Sequence, residues 1–391
     1  MMYRIPLFDL NFDVQEEQAV VEVLRDRWIS MGPRTELFER RFGELLGTPQ
    51  AIAVSSCTAG LHLALRVLGI GPGDEVIVPS LTFVATVAAA RYVGAVPVFC
   101  DICGPEQPTV DPERVAEAIT SKTRAIVVMH YAGFPCDMEA LQELARRHQV
   151  HLVEDAAHAP GSQYKGRPLG TIGDIGCFSF FSNKNVTTAE GGMVVTRSPE
   201  HYRRIKLLRS HAMTSLSYDR AQGHTTSYDV VDVGYNYRID DIRSAIGVVQ
   251  LDRLTVDIER RKELRQRYVD RLQAREDVTI PFLNWNDACS NYILPIVLND
   301  RCQVSRDIVR AELARLGIQT SIHYPAVHRF SVYQPFARPL PKTEYVADRT
   351  LSLPLYPNLR TDQVDEICEA LASVLGSRHG ATAEARAVGA R

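Results

Sequence analysis

The sequence predicts an α/β protein, with a large domain on a mostly parallel sheet flanked by helices and a smaller C-terminal α+β domain. From Ala51 onward, short β-branched runs alternate with amphipathic stretches, as in parallel strands joined by helices. Past Ile239 a highly charged helical stretch leads out of that region. The 391 residues, 45% hydrophobic and 23% charged, suffice for a large core and a second, smaller one.

In chain order, Val14 to Arg27 has helical apolar spacing, Trp28 to Pro33 breaks it, and a second helix runs from Thr35 to Leu46. Strands are expected at Ala51–Val54, Glu75–Val78, Val96–Phe99, Thr123–Met129 and Val150–Glu154, with helices at Pro112–Ile119 and Met138–Arg147. Gly69-Ile-Gly-Pro-Gly73 follows the helical run Leu61–Leu68 and precedes a strand. That order is the reverse of a dinucleotide fingerprint, so the glycines read as a helix stop and turn. Ile175–Phe181 reads as a buried strand, and Ile239, Ile242, Ile246 and Val249 open a long helix reaching about Arg275. The C-terminal elements are expected as a strand Tyr292–Val297, a helix Ser305–Leu316 closed by Gly317, a strand Gln319–His323 and a helix Thr361–Leu375. Residues 1–250 are assigned to the lead-in and large domain, 251–376 to the linking helix and small domain. The Ala-, Arg- and Gly-rich residues 377–391 are expected to be a disordered tail.

A formal charge of −3 gives no broad pull toward nucleic acid or anionic membrane. Eight scattered cysteines fit free thiols in a reducing compartment. Cys100-Asp-Ile-Cys103 has no second pair or histidine cluster beside it, and reads as structural rather than as a metal or redox site. Neither a signal segment nor an apolar run of membrane-spanning length is evident, so a cytoplasmic protein is expected.

In open α/β sheets the ligand sits beyond the carboxyl ends of the strands. Ser55-Ser-Cys-Thr-Ala-Gly60 follows a strand and precedes a helix expected to begin near Leu61; its amides and the Thr58 hydroxyl could cradle a phosphate, or simply cap the helix. Phe83 could stack on a planar ring or belong to the core. Asp155 ends a strand and would share one side of a helical turn with His158. Such a carboxylate can keep a pyridine nitrogen protonated, though singly Asp155 reads equally as a helix cap and His158 as a core histidine. Lys184 follows the strand carrying Ser179 and precedes Thr187, Thr188 and the turn Glu190-Gly-Gly192. An amine so placed can condense with the aldehyde of pyridoxal 5'-phosphate (PLP) as a Schiff base. A free lysine has a pKa of roughly 10.4, so moving protons would require burial or a neighbouring cation to lower it.

These pieces together resemble the DegT/StrS-type sugar aminotransferases of the fold-type I PLP enzymes. The resemblance rests on Glu154-Asp-Ala-Ala-His158, Gly173-Asp-Ile-Gly-Cys-Phe-Ser-Phe180, the Lys184 loop through Gly192, and Gly234-Tyr-Asn-Tyr-Arg238, and runs from Ile5 to about Leu371. It implies that Lys184 carries the cofactor and Asp155 pairs with its ring nitrogen. His158 would lie near the ring, Phe83 would stack on it, and Thr58, Ala59 and Ser179 would meet the phosphate. Asn236 would reach the phosphate of a neighbouring subunit, making a homodimer, and His323, Tyr324, His328 and Arg238 would face the substrate. Cys57 stands where the family commonly has a small residue such as glycine. The implied reaction passes an amino group from an L-amino acid, glutamate foremost, to a keto sugar, nucleotide-linked, or a keto cyclitol. Two alternatives are a dehydratase of the same family, whose lysine is replaced by histidine, and a PLP-binding regulator without turnover.

Overall fold

The computed structural model describes residues 3–215, 227–285 and 287–376. The expected tail, 377–391, lies outside the described residues. Twelve strands occur among them: β1 (Ala51–Val54), β2 (Glu75–Pro79), β3 (Val96–Cys100), β4 (Thr123–Met129), β5 (His151–Asp155), β6 (Gln163–Tyr164), β7 (Arg167–Pro168), β8 (Ile175–Ser179), β9 (Gly192–Thr196), β10 (Val278–Thr279), β11 (Leu294–Leu298) and β12 (Thr350–Leu353).

Seven of these form the central sheet in the order β1-β9-β8-β5-β4-β2-β3. The β8-β5-β4-β2-β3 neighbours are all parallel, whereas β9 runs antiparallel to both β1 and β8. The sheet is therefore mostly parallel, as expected. Because β9 is the reversed strand, the carboxyl ends of β1, β2, β4, β5 and β8 share one edge with the start of β9. Val54 and Ser179 are both paired with Gly192. Helices cover the faces, and the strands bury almost every side chain, as a two-sided sheet requires.

The first two helices, Val14–Asp26 and Pro33–Leu46, both pack on the long helix Asp241–Leu272. Asp13 closes the first with a capping box through Glu16. Asp241 accepts from the amides of Gly32 (2.8 Å) and Thr35 (3.0 Å) and from the Thr35 hydroxyl (2.7 Å), which fixes the chain across the Trp28–Pro33 break. The expected glycine turn is present: the helix Cys57–Val67 ends before Gly69 (φ 77°), and Gly73 (φ 94°) precedes β2.

A second, antiparallel sheet, β10-β11-β12, lies with the helices Arg306–Arg315 and Thr361–Gly376 in a separate apolar cluster. That cluster includes Leu264, Tyr268 and Leu272 from the long helix, and also Ile5, bridged to Ile318. Three expectations are corrected. Gln319–His323 is not a strand but an irregular segment with a single bridge, Ser321 to Ser352. The helix expected from Leu61 begins a turn earlier at Cys57, because the Ser56 hydroxyl accepts from the Ala59 amide and caps it there. Asp155 and His158 are joined by an irregular turn, closed by the Ala159 amide donating to the Ala156 carbonyl, not by a helix.

Candidate active site

A cavity of about 370 Å³ opens at the carboxyl edge of the central sheet. Its walls bring together Thr58, Phe83, Asp155, His158, Ser179, Lys184, His323 and Tyr324 among the residues singled out from sequence. Strand ends place most of them: Asp155 is the last residue of β5 and Ser179 the last of β8. Lys184 follows β8 on a turn in which its amide donates to the Phe181 carbonyl (2.9 Å).

The Lys184 Nζ lies 4.1 Å from the centroid of the Tyr292 ring. Burial lowers its pKa from 10.5 to about 8, against the opposing pull of Asp155 and Cys57. Asp155 Oδ2 accepts from the Thr86 hydroxyl at 2.6 Å, and Oδ1 from the Ala157 amide at 3.2 Å. Burial holds the Asp155 carboxyl above the usual carboxylate value, and the Thr86 and Ala157 bonds and nearby Lys184 offset this only in part. A buried lysine whose pKa is lowered to about 8 and a hydrogen-bonded carboxylate thus face one chamber.

His158 is fully buried, and burial with nearby Lys184 holds it well below the usual imidazole range, so it is neutral. Its Nδ1 accepts from the Ala132 amide (3.3 Å), which leaves the proton on Nε2 to be donated to the Tyr324 hydroxyl oxygen (2.8 Å). His323 is also neutral, its pKa depressed to about 3 by burial and Lys184, and its Nδ1 is 2.8 Å from the Ser352 hydroxyl. Phe83, 56% exposed, stands at the mouth with its ring 6.0 Å from that of Tyr324.

The N-terminal turn of the helix Cys57–Val67 also faces the chamber, with Ser56, Cys57 and Thr58 in its wall. The amides of such a first turn have no partner within the helix and suit an anion. Gly192 lies against this turn: a Cβ there would meet the Ser56 carbonyl carbon at 2.5 Å and the Cys57 amide nitrogen at 2.6 Å. With Ser179 alongside, the donors for a phosphate, a carboxylate for a ring nitrogen and an amine for an aldehyde fit the parts of PLP.

Four expected residues do not line the chamber. The Ala59 amide is taken by the Ser56 hydroxyl, and it is Ser56 that reaches the wall. His328 is buried outside it, with Nδ1 2.7 Å from the Ser80 hydroxyl and Nε2 3.3 Å from Glu344, within a different side-chain cluster. Asn236 is exposed and bridges to Ser210, and Arg238 is half-buried beside Arg209.

Sequence reasoning missed Ser56, Thr86, Asn183 and Tyr292 as site residues. Tyr292 donates to the Asn183 side-chain carbonyl (3.0 Å), bracing the Lys184 loop. It also missed the work of Glu154, which is fully buried and points away from Asp155. It accepts from the amides of Gly170 (2.7 Å), Ile172 (2.7 Å) and Gly173 (2.6 Å) and from His130 Nε2 (2.9 Å). Burial acts to raise the Glu154 pKa, yet these donors win and hold it below the usual range. The adjacent carboxyls are thus sorted by strand alternation: one anchors the loop leading to β8, the other faces the chamber.

Residues 11–372 match the profile of the DegT/DnrJ/EryC1/StrS aminotransferase family. The chain is 36% identical to the aminotransferase TlmJ from Streptoalloteichus hindustanus, with a TM-score of 0.88 over 95% of this chain and 98% of that one. It is 31% identical to Spr1654 from Streptococcus pneumoniae in its PLP-form (TM-score 0.89, 95% and 98% covered). The sugar aminotransferase CalS13 from Micromonospora echinospora is 29% identical, with a TM-score of 0.86 and 94% and 99% covered.

Proposed function

Because this chain belongs to the DegT/DnrJ/EryC1/StrS aminotransferase family, we propose that its chamber binds PLP and passes an amino group from L-glutamate to the keto group of a nucleotide-linked sugar or a cyclitol. The observation that carries this reading is Lys184, buried with a pKa near 8 in the same chamber as Asp155 and the capped helix start at Ser56. When bound, PLP supplies an aldehyde for the donor's amine and a protonated ring that draws electrons from the bond being broken.

In this account Lys184 first holds the cofactor and then, freed, carries a proton at Nζ, a task suited to an amine poised near working pH. Asp155 keeps the ring nitrogen protonated. Thr58, Ser179 and the first amides of the helix would hold the phosphate, and neutral His158, with both nitrogens engaged by Ala132 and Tyr324, would lie beside the ring. Phe83 would stack on the ring, and His323 and Tyr324 would shape the place of the keto substrate.

Among the described residues of the wall, Lys184 is the one Lys or Arg. The anionic groups of donor and substrate therefore favour help from outside this wall, and exposed Asn236 with half-buried Arg238 are offered for it by a second copy. The active unit is accordingly a homodimer with shared sites. Residues 1–250 form the lead-in and large domain and 251–376 the linking helix and small domain, a division supported by the separate apolar cluster around β10, β11 and β12. No helix among the described residues is long and apolar enough to cross a membrane, and the eight free cysteines support a cytoplasmic location.

The test is to add L-glutamate, then L-glutamine, to the PLP-loaded protein and measure pyridoxamine phosphate. Conversion with either is expected; no conversion with any L-amino acid would overturn the aminotransferase account and favour a non-catalytic binder.

A further inference from the structure

The Asp155 carboxylate is met by two buried hydroxyls in series. Thr82, which precedes the helix Val84–Tyr92, and Thr86, within its first turn, are 1% and 0% exposed. The Thr86 Oγ1 lies 2.6 Å from Asp155 Oδ2, and the Thr82 Oγ1 lies 2.7 Å from the Thr86 Oγ1. An ionised carboxylate only accepts, so the single Thr86 proton goes to Asp155 and Thr82 must donate to Thr86. The direction of both bonds is thereby fixed, and 2.6 Å falls in the charge-assisted range. A threonine inside a helix commonly spends its hydroxyl on the carbonyl four residues back. Thr86 instead turns outward to a carboxylate on a strand of the sheet.

We propose that Thr86, backed by Thr82, is a positioning residue of the PLP site, holding the Asp155 carboxylate ionised and fixed in orientation for the cofactor's ring nitrogen. This rests on the PLP reading of the chamber. The Ala157 amide (3.2 Å) and the Cys57 thiol (3.9 Å) approach the other oxygen, Oδ1, so Thr86 is the side-chain donor that sets Oδ2. The titratable groups facing Asp155 are Lys184 and His130, which favour its charge, and Cys57, Cys177 and Tyr324, which are neutral at working pH because each is raised by burial.

Thr86→Val keeps the side-chain shape and removes the proton; Thr86→Ser restores it. Two readouts are taken: the PLP dissociation constant of the cofactor-free protein, by absorbance titration, and the pH below which bound-cofactor absorbance is lost. Without its donor Asp155 takes up a proton more readily, so this acid limb moves up. Thr86→Val should bind PLP about ten-fold more weakly, with the limb higher by about one pH unit, and Thr86→Ser should lie near the wild type. A purely structural role would lower thermal stability and leave the limb in place. Wild-type affinity and limb in Thr86→Val would overturn the inference. If that variant does not fold, Thr82→Val is read the same way, with a smaller shift in the same direction expected and no shift overturning it. A wild-type protein that takes up no PLP at all would overturn the PLP reading and this inference together.

Discussion

Lys184 stands over the face of Tyr292, its Nζ 4.1 Å from the ring centroid, though the two residues come from different parts of the fold. The lysine follows β8, and the tyrosine lies on the segment entering β11. A ring face attracts a cation without neutralising it, so the amine keeps a partner when charged and loses little when neutral. Tyr292 donates its hydroxyl proton to Asn183, which ties the ring to the lysine's own loop.

A buried lysine costs stability while it is charged. In the folded protein its pKa is about 8 against 10.5 when free, so between those values the unfolded chain binds more protons. Stability of the cofactor-free protein therefore rises with pH across that window, and the penalty is full below pH 8. Lys184→Met should be more stable than wild type by about 3 kcal/mol at pH 7, with the difference closing toward pH 10.5. Urea denaturation of both cofactor-free proteins at the two pH values checks this. A difference that is absent, or the same at both, would count against the lysine's depressed pKa.

Gly192 starts β9 against the turn at Ser56 and Cys57, leaving no room for a methyl group. The close neighbours are backbone atoms, which cannot rotate away. Gly192→Ala is expected to destabilise the protein by about 1–3 kcal/mol or more and to weaken PLP binding more than thermal stability alone would suggest. An alanine variant with unchanged PLP affinity would show that the turn at Ser56 takes no part in holding the cofactor.

Shared sites can be tested by mixing inactive subunits. In a dimer of one Lys184→Ala and one Asn236→Ala subunit, one site receives its lysine from the second and its asparagine from the first. Co-expressed subunits carrying different tags should therefore regain activity that neither variant has alone. If Asn236 served its own subunit, no mixed dimer would contain an intact site and no activity would return.

Much of this site could be read from strand ends. Asp155 and Ser179 close runs of apolar residues, and the one-turn approach to Lys184 follows directly, so local pattern was enough to find them. Tyr292 and Thr86 were not visible in that way, because tertiary packing brings them in: one enters from beyond the long helix Asp241–Leu272, the other from a helix not anticipated after β2. Ile-containing Gln319–His323 has strand-like composition, yet it pairs only at Ser321, which leaves His323 to turn into the chamber. The reversed strand β9 was hidden because it opens on Gly192, a residue that reads as a turn in sequence but is required here by backbone contact. His328 resembled a site histidine by its neighbours in sequence, and hydrogen bonding to Ser80 and Glu344 places it elsewhere.

The central claim is that Lys184 holds the cofactor through its side-chain nitrogen. Borohydride reduction of the PLP-loaded protein, followed by peptide mass analysis, tests it most directly, because reduction makes the Schiff-base linkage permanent. The added mass is predicted on the peptide containing Lys184 and on no peptide of Lys184→Ala; the same mass on another lysine, or its persistence in that variant, would contradict the account.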